Sequence, residues 1–298
     1  MQKVLHKKAI ALLITVFFIM LITMSVGVGL TYVDNASKSM QSEQFTLQSS
    51  MIVEDVLKLL QTIDSSQINS TATLAKLLEQ LSFFPPFESN GINIIIEINS
   101  ARAKINPNAL STKSRLAAFK NYLMLKMVNT EYADMLWDVI GEIKEDMPYN
   151  SDIFSHKPYL FRDYITSHKH LLEINDSYMK KYHDNNLKNI DMEELFYISK
   201  NNNSTIDLNY ANASAWELML GCDEDRAEML SANAGDYANY SDIGLSEEEI
   251  KALDKFQPSF FQQHVYVEIE IIQKNLSSAI SFEYDIKEKK GSNFVFEI

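Results

Sequence analysis

From Ala9 to Leu30 the chain reads AIALLITVFFIMLITMSVGVGL, without one charged residue. At the rise of an α-helix this run covers about 33 Å, enough to cross the hydrocarbon core of a bilayer. Lys3, Lys7 and Lys8 precede it, and the first acidic residue is Asp34. A basic flank stays on the cytoplasmic side, so these lysines are the orienting charges of a single span and the remaining residues lie outside. A cleavable secretory signal has an apolar region of about 7–15 residues and a small-x-small site behind it. This run is longer and no such site follows, so a retained membrane anchor is expected.

The part beyond the membrane is acidic. The whole chain has 27 basic and 40 acidic side chains, a net −13; without the three leader lysines 24 basic residues face 40 acidic ones, a net −16. That field repels a phosphate backbone, and no nucleic-acid partner is expected. Acidic clusters attract divalent cations instead. With 46% hydrophobic residues, the exported part can build one or two cores. Cys222 is the one cysteine, which excludes an internal disulfide; no motif around it marks a nucleophile, and a half-buried thiol is expected.

Helical spacing continues past the apolar run through Met40, Leu47, Met51, Val56, Leu59, Leu60 and Ile63. This predicts a long helix leaving the membrane with one packed face. Leu74–Leu81 reads as a second helix, ended by Phe83-Phe84-Pro85-Pro86. The β-branched run Ile92–Ile98 is a strand. It leads through Ile105-Asn106-Pro107-Asn108-Ala109-Leu110 into a helical pattern from Ser114 to Ile143, with Asn or Ser as the cap. Residues 148–203 are polar and aromatic, with a short helical piece at Asp191–Ile198. A second opening of the same kind, Ile206-Asp207-Leu208-Asn209-Tyr210-Ala211, runs into Asn212–Leu218. The shared Ile-x-x-Asn points to two small helical units in tandem.

At the C-terminus Val265–Ile272, Ile280–Ile286 and Asn293–Ile298 each alternate, with Asn-Leu-Ser-Ser and Lys-Lys-Gly-Ser between them. This is a three-stranded antiparallel meander. Glu268, Glu270, Glu283 and Asp285 fall on its polar, wet side, and the apolar side is expected to bury itself against the long N-terminal helix.

Three local matches now carry a family resemblance. Lys7-Lys8-Ala9-Ile10-Ala11-Leu12-Leu13 is similar to a basic prepilin leader followed by its apolar start. Lys104–Leu110 is similar to a K-I-N-x-N-x-L motif after the first strand. Ile206–Ala211 is similar to I-N-x-N-T-A, with Glu193-Glu194-Leu195 ahead of it as a short E-L helix. In this order they resemble the K-type minor pseudopilin of the bacterial type II secretion system, a type IV pilin-like family.

The resemblance implies an α+β fold: a long N-terminal transmembrane helix packed on a C-terminal antiparallel sheet, with a large all-helical insertion of two SAM-like units. Residues 1–9 are then the cytoplasmic leader and 10–30 the membrane segment. Residues 31–110 carry the rest of the helix, a second helix and the first strand. The insertion is 111–257, in units 111–203 and 204–257, and 258–298 returns to the sheet.

The resemblance also implies that prepilin peptidase would cut between Ala9 and Ile10 and that Ile10 would be N-methylated. Ile105, Asn106, Asn108, Leu110, Ile206, Leu208, Asn209 and Ala211 are the motif positions. At the fifth mature position, where pilins carry glutamate, stands Ile14, as fits a subunit capping a filament. The implied role is a non-catalytic tip subunit in the inner membrane with its bulk in the periplasm. Its partners are the I- and J-type minor pseudopilins and the major pseudopilin.

Family members bind calcium near an acidic D-W-I-D-type segment. The counterpart here is Asp138-Val139-Ile140-Gly141-Glu142, which makes Asp138 the candidate calcium ligand, with Glu142, Glu145, Asp146 and Asp152 in reach; a solvated acidic helix end is the alternative. His168 and His170 read as surface histidines, with no zinc motif around them. Asn209–Leu218 is also similar to the opening of helix-hairpin-helix DNA modules. There a glycine hairpin meets phosphate, and here Asp223, Glu224 and Asp225 oppose it. The competing function is a membrane-anchored periplasmic binding or sensing domain with no filament role.

Overall fold

The computed structural model of the chain describes residues 40, 43–82, 86–89, 91–141, 148–200, 205–232, 235, 237–273 and 276–297. It is an α+β protein with a large antiparallel sheet and many helices. Lys3, Lys7, Lys8, Ala9, Ile10 and the expected membrane segment lie outside the described residues. Among the described residues no helix is long and apolar enough to cross a membrane. Two compact units divide between Glu54 and Asp55.

Helix α1 covers residues 43–61. Of its expected packed face, Val56 and Leu60 are buried, but Met40, Leu47, Met51 and Leu59 are exposed. The buried side runs instead through Phe45, Ser49, Val53, Val56 and Leu60. The sequence carries two apolar stripes at helical period, and the exposed one is indistinguishable from the buried one by spacing.

In the second unit, Asp64 accepts a hydrogen bond from the Ser66 amide (3.1 Å) to start a 3₁₀ turn. Helix α2 (Thr71–Ser82) and strands β1 (Phe87–Ser89) and β2 (Ile92–Ser100) follow. A helical region comes next: α3 (Lys113–Leu125), α4 (Glu131–Ile140), α5 (Ile153–His156), α6 (His168–Tyr182) and α7 (Met192–Leu195). Past the short strand β3 (Ile206–Asp207) come α8 (Ala213–Leu220), α9 (Glu224–Ala232), α10 (Tyr240–Ile243) and α11 (Glu247–Leu253). Strands β4 (Pro258–Ser259), β5 (His264–Gln273), β6 (Leu276–Asp285) and β7 (Lys290–Glu297) close the chain.

The expected single helical stretch Ser114–Ile143 is two helices. Met127 takes a left-handed conformation (φ +57°), and the Val128 amide turns back to the Leu123 carbonyl (2.8 Å). This closure ends α3 as a helix C-terminus ends elsewhere, without the usual glycine. The reversal lets α4 face α3, with Phe119 edge-on to Tyr132 (centroids 6.1 Å apart). The Asn-Leu-Ser-Ser turn is also shorter than expected, because β6 begins at Leu276.

The main sheet has the order β1-β2-β5-β6-β7, antiparallel throughout. Strands β2 and β5 are neighbours although residues 101–263 separate them in sequence, so the helical region is an insertion between adjacent strands. Register places Ile96, Ile269 and Ile280 in one row and Ile98, Val267 and Phe282 in the next, all on the apolar face. Leu57 of α1 reaches the end of this face. A Cβ at Gly291 would come within 3.0 Å of Leu57 and 2.7 Å of the Phe294 ring, so a larger residue there would have to push these side chains aside.

The opposite face holds Glu97, Glu268 and Ser281 in one row and Asn99, Tyr266 and Glu283 in the next. It is not the open wet face that alternation suggests. The insertion folds back over it, and Glu283 is 3% exposed. The insertion has its own core, in which buried residues from Ile105 to Phe256 form one cluster around Phe119, Tyr132, Tyr178, Phe196 and Trp216.

Candidate functional site: the junction of sheet and insertion

The two Ile-x-x-Asn openings do the same structural work. Ile105 forms a parallel bridge with Phe196, and Ile206 pairs in parallel with Pro258. One residue on, the Asn106 side chain accepts from the Asn108 amide (3.1 Å), and the Asp207 side chain from the Asn209 amide (3.0 Å). Each turn presents the asparagine of its Ile-x-x-Asn, Asn108 or Asn209, to the interior.

Asn108 donates to the carbonyls of Ile165 (3.0 Å) and Ser199 (2.8 Å) and accepts from the Ile165 amide (2.7 Å). Asn209 donates to the carbonyls of Tyr237 and Phe260 (2.8 Å each) and accepts from the amides of Tyr237 (2.9 Å) and Gly235 (3.0 Å). Ile165 stands just ahead of Ser167, the N-cap of α6, and Tyr237 just ahead of Asn239, the N-cap of α10. In each half, one buried asparagine ties the opening segment to the start of a later helix and to the closing segment. A carboxamide suits this task because it pairs with a peptide group as another peptide does. Ile105, Leu110, Ile206, Leu208 and Ala211 are buried beside these clamps.

Where the insertion meets the sheet, Arg102 is the connecting residue. It lies just after β2 and is 5% exposed. Its guanidinium donates to Glu283 on β6 (3.1 Å) and to the Tyr197 hydroxyl, and it lies over the Tyr197 ring (5.7 Å). Burial works against its charge, but Tyr197 and Glu283 outweigh it and hold its pKa above the ordinary arginine value. Tyr197 in turn meets Tyr266 edge-on (5.9 Å). Nothing in the sequence pattern joined these residues; the available signal was a lone arginine directly after a strand.

Beside this latch a cleft of about 310 Å³ opens between the sheet and the insertion. Glu97, Glu268, Glu270 and Glu297 line it from the sheet, with Glu193 and His168 from the insertion. Glu97 and Glu268 are direct cross-strand partners, an arrangement that costs stability for like charges. Burial raises the Glu268 pKa, Lys104 opposes the rise, and Glu97, Glu193 and Glu194 add to it. Burial likewise depresses the His168 pKa, with Glu193 and Glu297 working the other way. Among the described residues no group of His, Cys, Asp or Glu is arranged to hold a metal ion.

Asp138 is 1% exposed, so it is no solvated helix end. Its carboxylate accepts from the Asn150 amide (3.0 Å) and side chain (2.9 Å), and from the Ser151 amide (2.6 Å) and hydroxyl (2.8 Å). These donors fix the chain beyond residue 147 against α4, and a cation there would have to displace them. Glu142, Glu145 and Asp146 lie outside the described residues. His170, expected on the surface, is 7% exposed because it packs edge-on against Phe161 (6.1 Å). Cys222 is half-buried, and burial pushes its thiol up to about 11.

No protein-family model matches the sequence, and no curated protein matches it. Among solved structures the chain is similar to one chain of the GspK-GspI-GspJ complex from the type 2 secretion system of enterotoxigenic Escherichia coli. The TM-score is 0.53 and the identity 15%, over 88% of this chain and 97% of that one. An overlap of that extent takes in the insertion as well as the sheet. The two chains share a fold.

Proposed function

We propose that this chain is a K-type minor pseudopilin, a non-catalytic subunit at the tip of a type II secretion pseudopilus. The observation that carries the reading is the fold shared across 88% of the chain with a protein of the GspK-GspI-GspJ complex. The K-I-N-x-N-x-L and I-N-x-N-T-A resemblances support it, because each opens one half of the helical insertion; the leader resemblance supports it from the sequence alone.

In this reading Ala9 and Ile10 flank the peptidase cut, Ile10 is methylated, and residues 10–30 anchor the chain in the inner membrane. The I- and J-type minor pseudopilins are the first partners and the major pseudopilin follows. The exposed stripe of Met40, Leu47 and Met51 supports bundling with their helices, since solvent-facing apolar stripes mark association surfaces. The helical insertion, built of two SAM-like units, crowns the tip because its bulk prevents another subunit from stacking above. Calcium near Asp138 is part of this reading only if the acids at 142–146 supply most of the ligands.

Mass spectrometry of the chain isolated from its native membrane tests the proposal. A mature N-terminus at methylated Ile10 is expected. A chain that begins at Met1 and functions with an unrelated membrane helix would instead be the anchored binding or sensing domain.

A further inference from the structure

Between α5 and α6 the lining of one cleft carries more cations than carboxylates, unlike the molecule as a whole, with Glu173 and Asp176 exposed elsewhere on α6. In a chain of net charge −13, a cleft of about 380 Å³ between these helices is lined by His156, Lys157, Lys180 and Lys181. Met135 and Ile153, both 1% exposed, give it an apolar floor. Asp152 is the one carboxylate in the lining, and it is occupied: Lys181 donates to it, and the His156 ring approaches it to 3.6 Å. Lys157 gives one donor to the Glu173 carbonyl (3.1 Å), which leaves its charge uncompensated. Among the described residues Lys180 has no hydrogen-bond or ion-pair partner. Helix dipoles account for part of this pattern, because Lys180, Lys181 and His156 occupy the last turns of their helices. They do not account for an apolar floor beneath the lysines, nor for Tyr159, which is 98% exposed on the turn closed by Leu160 and Lys157 (3.1 Å).

We propose that this cleft is a docking site for an acidic peptide segment that presents carboxylates around one apolar side chain. The carboxylates meet Lys157 and Lys180, and the apolar side chain rests on Met135 and Ile153. Complementary charge selects the partner at short range, within a Debye length of about 8–10 Å. Beyond that range the net negative field rejects a long polyanion, so a protein segment fits and a nucleic acid does not. The inference is independent of the filament reading, since an uncleaved, solitary chain would bind the same peptide.

The test uses the full chain and a fluorescein-labelled heptapeptide of alternating glutamate and aspartate around a central phenylalanine. Carbodiimide coupling, read by mass spectrometry, should join the peptide to Lys157 and Lys180 in preference to the other lysines. Anisotropy titration should show saturable binding that weakens by about tenfold or more in Lys157→Gln/Lys180→Gln, with thermal unfolding unchanged. Coupling spread evenly over all lysines, unchanged affinity in the double variant, or equal binding of an oligothymidylate of matched charge would each overturn the proposal.

Discussion

Asp207 is fully buried, and burial pushes its carboxyl up to about 6, against the hydrogen bonds from the Asn209 and Gln262 amides that pull it down. A carboxyl whose folded pKa lies above its unfolded value favours the fold while protonated. Its contribution is therefore present below about pH 4 and is lost as pH rises through 6, by up to about 3 kcal/mol. Asn106 holds the equivalent place in the first opening without a charge. Asp207→Asn should flatten the decline in stability between pH 4 and 7, followed by urea unfolding at several pH values; an unchanged slope would show that another group sets it. The Arg102–Glu283 pair has the opposite character, because removing one partner strands a buried charge. Glu283→Ala should cost about 3 kcal/mol or more in the same unfolding measurement. Neither residue announced itself in the sequence. Alternation along β6 put Glu283 on a solvated face, and Asp138 read as either a cation ligand or a helix end. For Glu283 the deciding neighbour, Arg102, comes from a distant part of the chain, and for Asp138 it is an irregular segment about a dozen residues on; period and composition encode neither.

At the scale of elements, the asparagine clamps are the parts most exposed to test. Asn108→Ala and Asn209→Ala each leave buried peptide groups of two segments without partners, and each should lower stability by about 2–3 kcal/mol. A loss below 0.5 kcal/mol, on the order of an exposed substitution, would deny the clamps their role. Met127→Gly should act the other way. It places the favoured residue at the left-handed end of α3, and a gain of about 1 kcal/mol in thermal unfolding is expected. The strands of the C-terminal meander, β2 and α2 were legible because each repeats one period over enough residues. The stripe that α1 buries was not, since Met40, Leu47 and Met51 match the helical period as well as Phe45, Val53 and Val56 do. The break between α3 and α4 was hidden because methionine, rather than glycine, occupies the turn.

For the whole molecule, the decisive feature is the route of the chain. It leaves the sheet after β2, builds a helical body with its own core, and returns to pair β5 beside β2. The two Ile-x-x-Asn openings pointed from sequence to two helical units in tandem; in the structure their bonding matches, to the starts of α6 and α10, and the residues from Ile105 to Phe256 share one core. What sequence could not convey was that the insertion closes over the acidic face of the sheet, because that contact depends on Arg102 reaching both Tyr197 and Glu283 across long stretches of chain. The proposed assembly role rests on this architecture together with an apolar stripe left open on α1. The most direct measurement is co-purification of the tagged full chain, in detergent, with the I- and J-type minor pseudopilins of the same cell. The account predicts a stoichiometric complex that is lost when Leu47 and Met51 are both replaced by aspartate. Recovery of the chain alone, from cells that contain both partners, would contradict it.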